Sequence, residues 1–150
     1  MMIPIRNKSV DEEAKEIFDF FQGNKIEIQK MLENQFQILY VRSQTLIGLA
    51  GIIITVTGFS GRIIAQTSLL SRILIVVGLF FVLLSGMLAI FGIIRIRFIS
   101  QWYETDTNLF IKNILQNRNR KGRYFIASLI SLIIGFTLYV ISISMMLIFA

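Results

Sequence analysis

The stretch ILIVVGLFFVLLSGMLAIFGII, residues 73–94, lies between Arg72 and Arg95 and contains no charged side chain. A helix rises about 1.5 Å per residue, so about 20 residues cross the roughly 30 Å of hydrocarbon in a bilayer. These 22 residues have that length. Two further uncharged stretches flank it: Ser43–Gly61, 19 residues closed by Arg42 and Arg62, and Tyr124–Ala150, 27 residues preceded by Arg123. Hydrocarbon offers no hydrogen-bond partner to the backbone, which leaves the helix as the way for such segments to cross. The sequence therefore predicts an all-α integral membrane protein with three transmembrane helices, at about 43–61, 73–94 and 124–150. An N-terminal amphipathic cytosolic helix occupies the segment 1–42, and a cytosolic helical loop fills 95–123 between spans two and three.

With 150 residues, the chain has length for one domain and leaves no separate water-soluble core beside the spans. It contains neither Cys nor His. Thiolate nucleophiles, most zinc sites and any imidazole titrating near neutral pH are thereby removed. Glu12 and Glu16 share a helix face and Glu104 lies near Asp106, but carboxylates alone read as solvated surface. No phosphate-cradling glycine loop or dinucleotide-binding pattern is present. We expect no catalytic residue, no metal, no cofactor and no enzymatic activity.

The net charge is +6. Because the basic residues flank the hydrophobic stretches, anionic lipid headgroups are the expected partner in preference to nucleic acid. Arg95 and Arg97 after span two, and Arg118, Arg120, Lys121 and Arg123 before span three, are the candidate headgroup-binding residues. Thirteen Lys and Arg lie in the segment before span one and the loop after span two, against Arg62 and Arg72 in the other connection. That asymmetry predicts a cytoplasmic N-terminus and Ala150 on the far side. Acidic residues at positions 11, 12, 13, 16 and 19 exclude a secretory signal peptide at the start, so the first hydrophobic run is an anchor that stays.

Ser9 and Glu12 form a capping-box pattern opening a helix whose first turns carry Asp11, Glu12 and Glu13 against the positive end of its dipole. Gly23-Asn24 should break or bend it, after which Ile28, Met31, Leu32, Phe36 and Leu39 continue at helical spacing. This apolar stripe is expected to pack on the protein's own cytosolic loop or on the lipid interface, with self-association as the sharper alternative. Gly58, Ser60 and Gly61 mark a turn between spans one and two, and Arg62 to Ser71 are expected to be an outer loop or a short extension of either helix. Span two is expected to run on past Arg95, Arg97, Phe98, Ile99, Trp102 and Tyr103. A short helix should begin near Thr105–Thr107, bury Leu109, Phe110, Ile114 and Leu115, and end in the basic run Asn117–Arg123.

Small residues recur every seven positions within the spans: Gly51 and Gly58, with Gly48 and Thr55 beside them; Gly78, Ser85 and Gly92; Ser128, Gly135 and Ser142. A seven-residue repeat keeps one face toward a neighbouring helix, and small side chains there let backbones approach. These faces serve either a tight monomeric bundle or a homo-oligomer. Span one is the richest in glycine and hydroxyl positions, so Gly48, Gly51, Thr55, Gly58 and Arg62 are the candidate pore-lining or helix-packing residues. In a ring, Arg42 and Gln44 would stand at the cytosolic mouth and Arg62 at the outer one, where rings of arginine favour anions. No Asp, Glu, Lys or Arg lies within any span, which argues against a pump or ion-coupled transporter.

The layout of an amphipathic helix, closely spaced small-residue-rich spans and a further cytosolic helix, over Glu13–Leu115 and mainly Arg42–Arg62, resembles that of small bacterial membrane effectors of the SLATT type. The third span, Tyr124–Ala150, departs from it. The resemblance implies a bacterial inner membrane, a homo-oligomeric ion-conducting or membrane-permeabilising pore, and a role as a defence effector. The alternative is a non-conducting accessory or scaffold subunit whose cytosolic helices dock a soluble partner.

Overall fold

The computed structural model describes residues 9–66, 68–94 and 106–149, and every element among them is an α-helix. Four helices follow in order: α1, Val10–Phe20; α2, Lys25–Ala65; α3, Leu69–Ile94; and α4, Thr107–Phe149. Three of them, α2, α3 and α4, are long and apolar enough to cross a membrane. The chain is an integral membrane protein by that measure.

α1 begins where the capping box places it. The Glu12 amide donates to Ser9 Oγ and the Ser9 amide to Glu12 Oε2, both at 3.2 Å, so two otherwise orphaned amides are satisfied reciprocally. The expected break follows at Gln22 and Gly23, whose φ angles are +50° and +74°. A Cβ at Gly23 would also meet the Phe18 ring at 3.2 Å, so this left-handed position calls for glycine. Asn24 then caps α2 by accepting from the Ile26 amide at 3.2 Å.

Two expected boundaries differ. Gly58, Ser60 and Gly61 do not turn the chain: α2 continues to Ala65, and α3 begins at Leu69. Ser60 stays helical by donating back to the Val56 carbonyl at 2.8 Å, and Gly61 is a packing position with Ile75 Cγ2 3.8 Å from where its Cβ would stand. Likewise the short helix and span three are one element, α4, because the basic run 117–123 is helical. It contains no proline, and Arg and Lys are good helix formers that outweigh the single Gly122. The onset of α4 is as expected, with Asp106 Oδ1 accepting from the Asn108 amide at 2.9 Å. The expected continuation past Arg95, including Arg97, Phe98, Ile99, Trp102 and Tyr103, lies outside the described residues.

Contacts divide the chain into two units, Met1–Ile38 with Ile96–Lys121, and Leu39–Arg95 with Gly122–Ala150. In the first, Ala14, Ile28, Leu32, Phe110, Ile111, Ile114 and Leu115 form one buried core. The apolar stripe of the N-terminal segment therefore packs on the start of α4, within the same chain. The second unit buries serines beside its apolar core and leaves large apolar side chains outside. Ser71, Ser85, Ser128 and Ser142 are at most 1% exposed, while Phe59, Val76, Phe80, Phe91, Ile130 and Ile133 lie open. Serine inside and large apolar side chains outside is the distribution that a hydrocarbon surround favours.

Candidate functional site

In the second unit, α3 and α4 run antiparallel and meet at their small residues, one contact every seven positions. Ser142 Oγ donates to the Ser71 carbonyl at 3.0 Å. One heptad on, the glycines touch backbone to backbone: a Cβ at Gly135 would stand 2.7 Å from the Gly78 oxygen, and one at Gly78 would stand 3.0 Å from the Gly135 oxygen. After another heptad, Ser85 Oγ donates to the Ser128 carbonyl and Ser128 Oγ to the Ser85 carbonyl, both at 2.8 Å. Near the far end, a Cβ at Gly92 would meet Tyr124 Cβ at 3.4 Å. The small-residue faces of spans two and three are thus occupied within the chain. Ser71 belongs to this ladder although sequence reading missed it; its place seven residues before Gly78 was the available signal.

α2 meets this pair through a different face. Leu46 and Ala50 pack with Val82 and Leu132, and Ile64 packs with Ile75 and Tyr139. Thr57 is buried on the same face and donates to the Ile53 carbonyl at 2.7 Å. Ser60 Oγ and the Tyr139 hydroxyl are 2.8 Å apart. Because the single Ser60 proton is directed to the Val56 carbonyl, the Tyr139 hydroxyl is the donor of this bond. Tyr139 is a further residue that spacing alone did not single out. Among the described residues, no buried side-chain nitrogen or oxygen lacks a hydrogen-bond partner.

The five candidate residues on span one share the other side of α2. Gln44, Gly48, Gly51, Thr55, Gly58 and Arg62 recur at steps of four and three, and all six are exposed. At about 100° per residue, this stripe is centred roughly 140° around the helix from the packed one. A Cβ added at Gly48, Gly51 or Gly58 would meet nothing within 4 Å. The Thr55 hydroxyl bonds back to the Gly51 carbonyl at 2.9 Å, so the stripe presents a smooth, shallow surface that is free of unsatisfied donors at this position. Span one therefore has one face filled by α3 and α4 and one that is open within the chain.

The basic candidates separate in a similar way. Arg118 is committed inside the first unit: its guanidinium donates to both Glu13 carboxylate oxygens, at 2.8 and 2.9 Å, and to Gln35 Oε1 at 2.9 Å. Such a two-pronged, charge-assisted contact is among the stronger polar interactions. The Lys121 ammonium lies 5.1 Å from the Phe36 ring centroid, and its burial lowers its pKa from the ordinary value. Arg120 and Arg123 are exposed and available to headgroups, while Arg95 and Arg97 lie outside the described residues. The first unit also holds an open cleft of about 510 Å³ lined by Asp11, Lys15, Phe18, Asp19, Asp106 and Lys112 among others. Three aspartates face two lysines there, and Lys112 is paired to Asp11 at 2.7 Å.

Compared with protein-family models, curated proteins and solved structures, the chain matches none.

Proposed function

We propose that the protein is a homo-oligomer whose copies meet around the open face of α2, forming an ion-conducting or membrane-permeabilising pore in a bacterial inner membrane, with the N-terminus cytoplasmic. The observation that carries this reading is the exposed stripe Gln44, Gly48, Gly51, Thr55, Gly58 and Arg62, with open space above each of its three glycines. Helix association in lipid is driven by close backbone packing, which glycine permits and which a lipid-facing position does not require. The charge at the end of the stripe favours a ring over a tight pair. Two α2 helices in direct parallel contact would set one Arg62 guanidinium against another, whereas a water-filled lumen keeps them hydrated and apart. A permeabilising effector of bacterial defence fits this architecture.

The experiment is ion flux through lipid vesicles. A Cβ at Gly51 or Gly58 meets nothing within 4 Å, so Gly51→Leu and Gly58→Leu should each leave the fold intact while abolishing both the oligomer and the flux. Undiminished flux from monomeric protein rejects the ring. The second reading, a non-conducting scaffold that docks a soluble partner, is favoured by Phe20 and Ile26, 80% and 68% exposed on either side of the α1–α2 turn. An oligomer that never conducts supports it.

A further inference from the structure

The seams of the second unit are held by different forces. Between α3 and α4 the serines bond across: Ser142 to the Ser71 carbonyl, Ser85 and Ser128 each to the other's carbonyl, and Ser131 Oγ to the Phe81 carbonyl at 2.8 Å. Gly78 and Gly135 bring the two backbones together among these bonds. On α2 the hydroxyls turn back to their own helix. Ser43, Thr45, Thr55 and Thr57 donate to the carbonyls of Leu39, Val41, Gly51 and Ile53, at 2.9, 3.1, 2.9 and 2.7 Å. Ser43 and Thr57 do so although they are buried, at 5% and 6% exposure. What joins this part of α2 to the other two helices is apolar, Leu46 and Ala50 against Val82 and Leu132. A polar tie, Ser60 with Tyr139, stands at the Arg62 end.

A hydrogen bond is short and directional, so bonds at successive levels fix both the register and the rotation of α3 against α4. Apolar contacts are non-directional. Acyl chains are as apolar as leucine, so in a bilayer α2 exchanges contact with the pair for contact with lipid at little cost. We infer that the membrane unit is built as a rigid α3–α4 pair and one movable helix, α2, which slides and turns on the pair by the small shear steps that packed helices allow. The Ser60–Tyr139 tie limits this motion at the Arg62 end. The stripe from Gln44 to Arg62 lies on the same helix, so the element free to move is also the one that presents its glycines to open space. Neither a second copy of the chain nor conduction is required.

The chain has no cysteine, which suits paired spin labelling. Ile141 on α4, Leu83 on α3 and Ile52 on α2 are all exposed. By the levels of Ser71 with Ser142 and of Ser60 with Tyr139, Leu83 and Ile52 each lie about 15 Å along the bundle from Ile141. Leu83→Cys/Ile141→Cys and Ile52→Cys/Ile141→Cys, nitroxide-labelled and diluted with unlabelled chain in phosphatidylcholine vesicles, are to be compared by double electron–electron resonance. The 83–141 distances should form one narrow peak, and the 52–141 distribution should be wider by about 1–2 Å, the size of a helix shift. A 52–141 distribution no wider than that of 83–141 overturns the inference. Adding Ser85→Ala/Ser128→Ala should widen the 83–141 distribution, and an unchanged width there also overturns it, since the serines would then not be what holds the pair. The first comparison uses exposed positions alone and decides the matter should the serine variant fail to insert.

Discussion

Gly135→Ala tests the packing of the membrane unit most directly. The added methyl would stand 2.7 Å from both the Gly78 oxygen and Val82 Cγ2, and 3.0 Å from the Val82 amide nitrogen. Optimal contacts of carbon lie at about 3.5–4.0 Å, so α3 and α4 must part by roughly 1 Å at their closest point. Two of the three obstructing atoms are backbone and cannot rotate away. Overpacking of this kind costs about 1–3 kcal/mol. The separation also strains the serine bonds one heptad to either side, from Ser142 to Ser71 and reciprocally between Ser85 and Ser128; weakening these at about 0.6 kcal/mol each adds up to about 2 kcal/mol. The gain in helix propensity on replacing glycine returns up to about 1 kcal/mol. A net loss of about 2–3 kcal/mol is expected, which is about a hundredfold in the unfolding equilibrium. Gly51→Ala is the internal control, because its methyl meets nothing within 4 Å and should leave the monomer as stable or up to about 1 kcal/mol more so. Both can be measured by circular dichroism during transfer from dodecylmaltoside into SDS micelles. Equal midpoints for Gly135→Ala and Gly51→Ala would refute the glycine-to-glycine contact and the register built on it.

Arg118→Met should destabilise the first unit by about 1.5–3 kcal/mol, since it removes charge-assisted bonds and leaves the half-buried Glu13 without them; hydrogen exchange of α1 amides should rise correspondingly. Tyr139→Phe should cost about 0.6 kcal/mol through its bond to Ser60, read in the same detergent titration, and Ser60→Ala on that background should add little from the pair. Lys121 gives a pH signature. Burial lowers its pKa in the folded chain below the ordinary 10.5, so between the folded value and 10.5 the unfolded chain binds more protons, and stability rises with pH across that window. Lys121→Met should remove this rise, seen as a loss of slope relative to the parent chain.

Much of the chain was legible because its determinants are local. The capping box at Ser9–Glu12, the left-handed break at Gly23 and the start of α4 at Thr107 each depend on a few neighbouring residues acting on the backbone between them. The heptads of small residues in spans two and three also read correctly as contact faces, because lipid leaves close backbone approach as the main source of helix affinity. Local reading failed where a glycine or a charged run could serve either of two purposes. Gly58 and Gly61 read as a turn and proved helical, one open and one packed against Ile75, and the run 117–123 read as a helix end while Arg118 was in fact held by Glu13, more than a hundred residues away.

The sequence alone determined that three uncharged stretches must be helical and bilayer-long, since charge and length are properties of the segment itself. Only the tertiary structure decided which glycines are spent inside the bundle and which remain outside. Gly78 and Gly135 face each other at backbone distance while Gly48, Gly51 and Gly58 face open space, and the difference arises from how each helix is rotated against its neighbours. That rotation is fixed by the mutual fit of residues far apart in the chain, such as Ser60 with Tyr139 and Ser85 with Ser128, a relation that no single stretch of sequence contains.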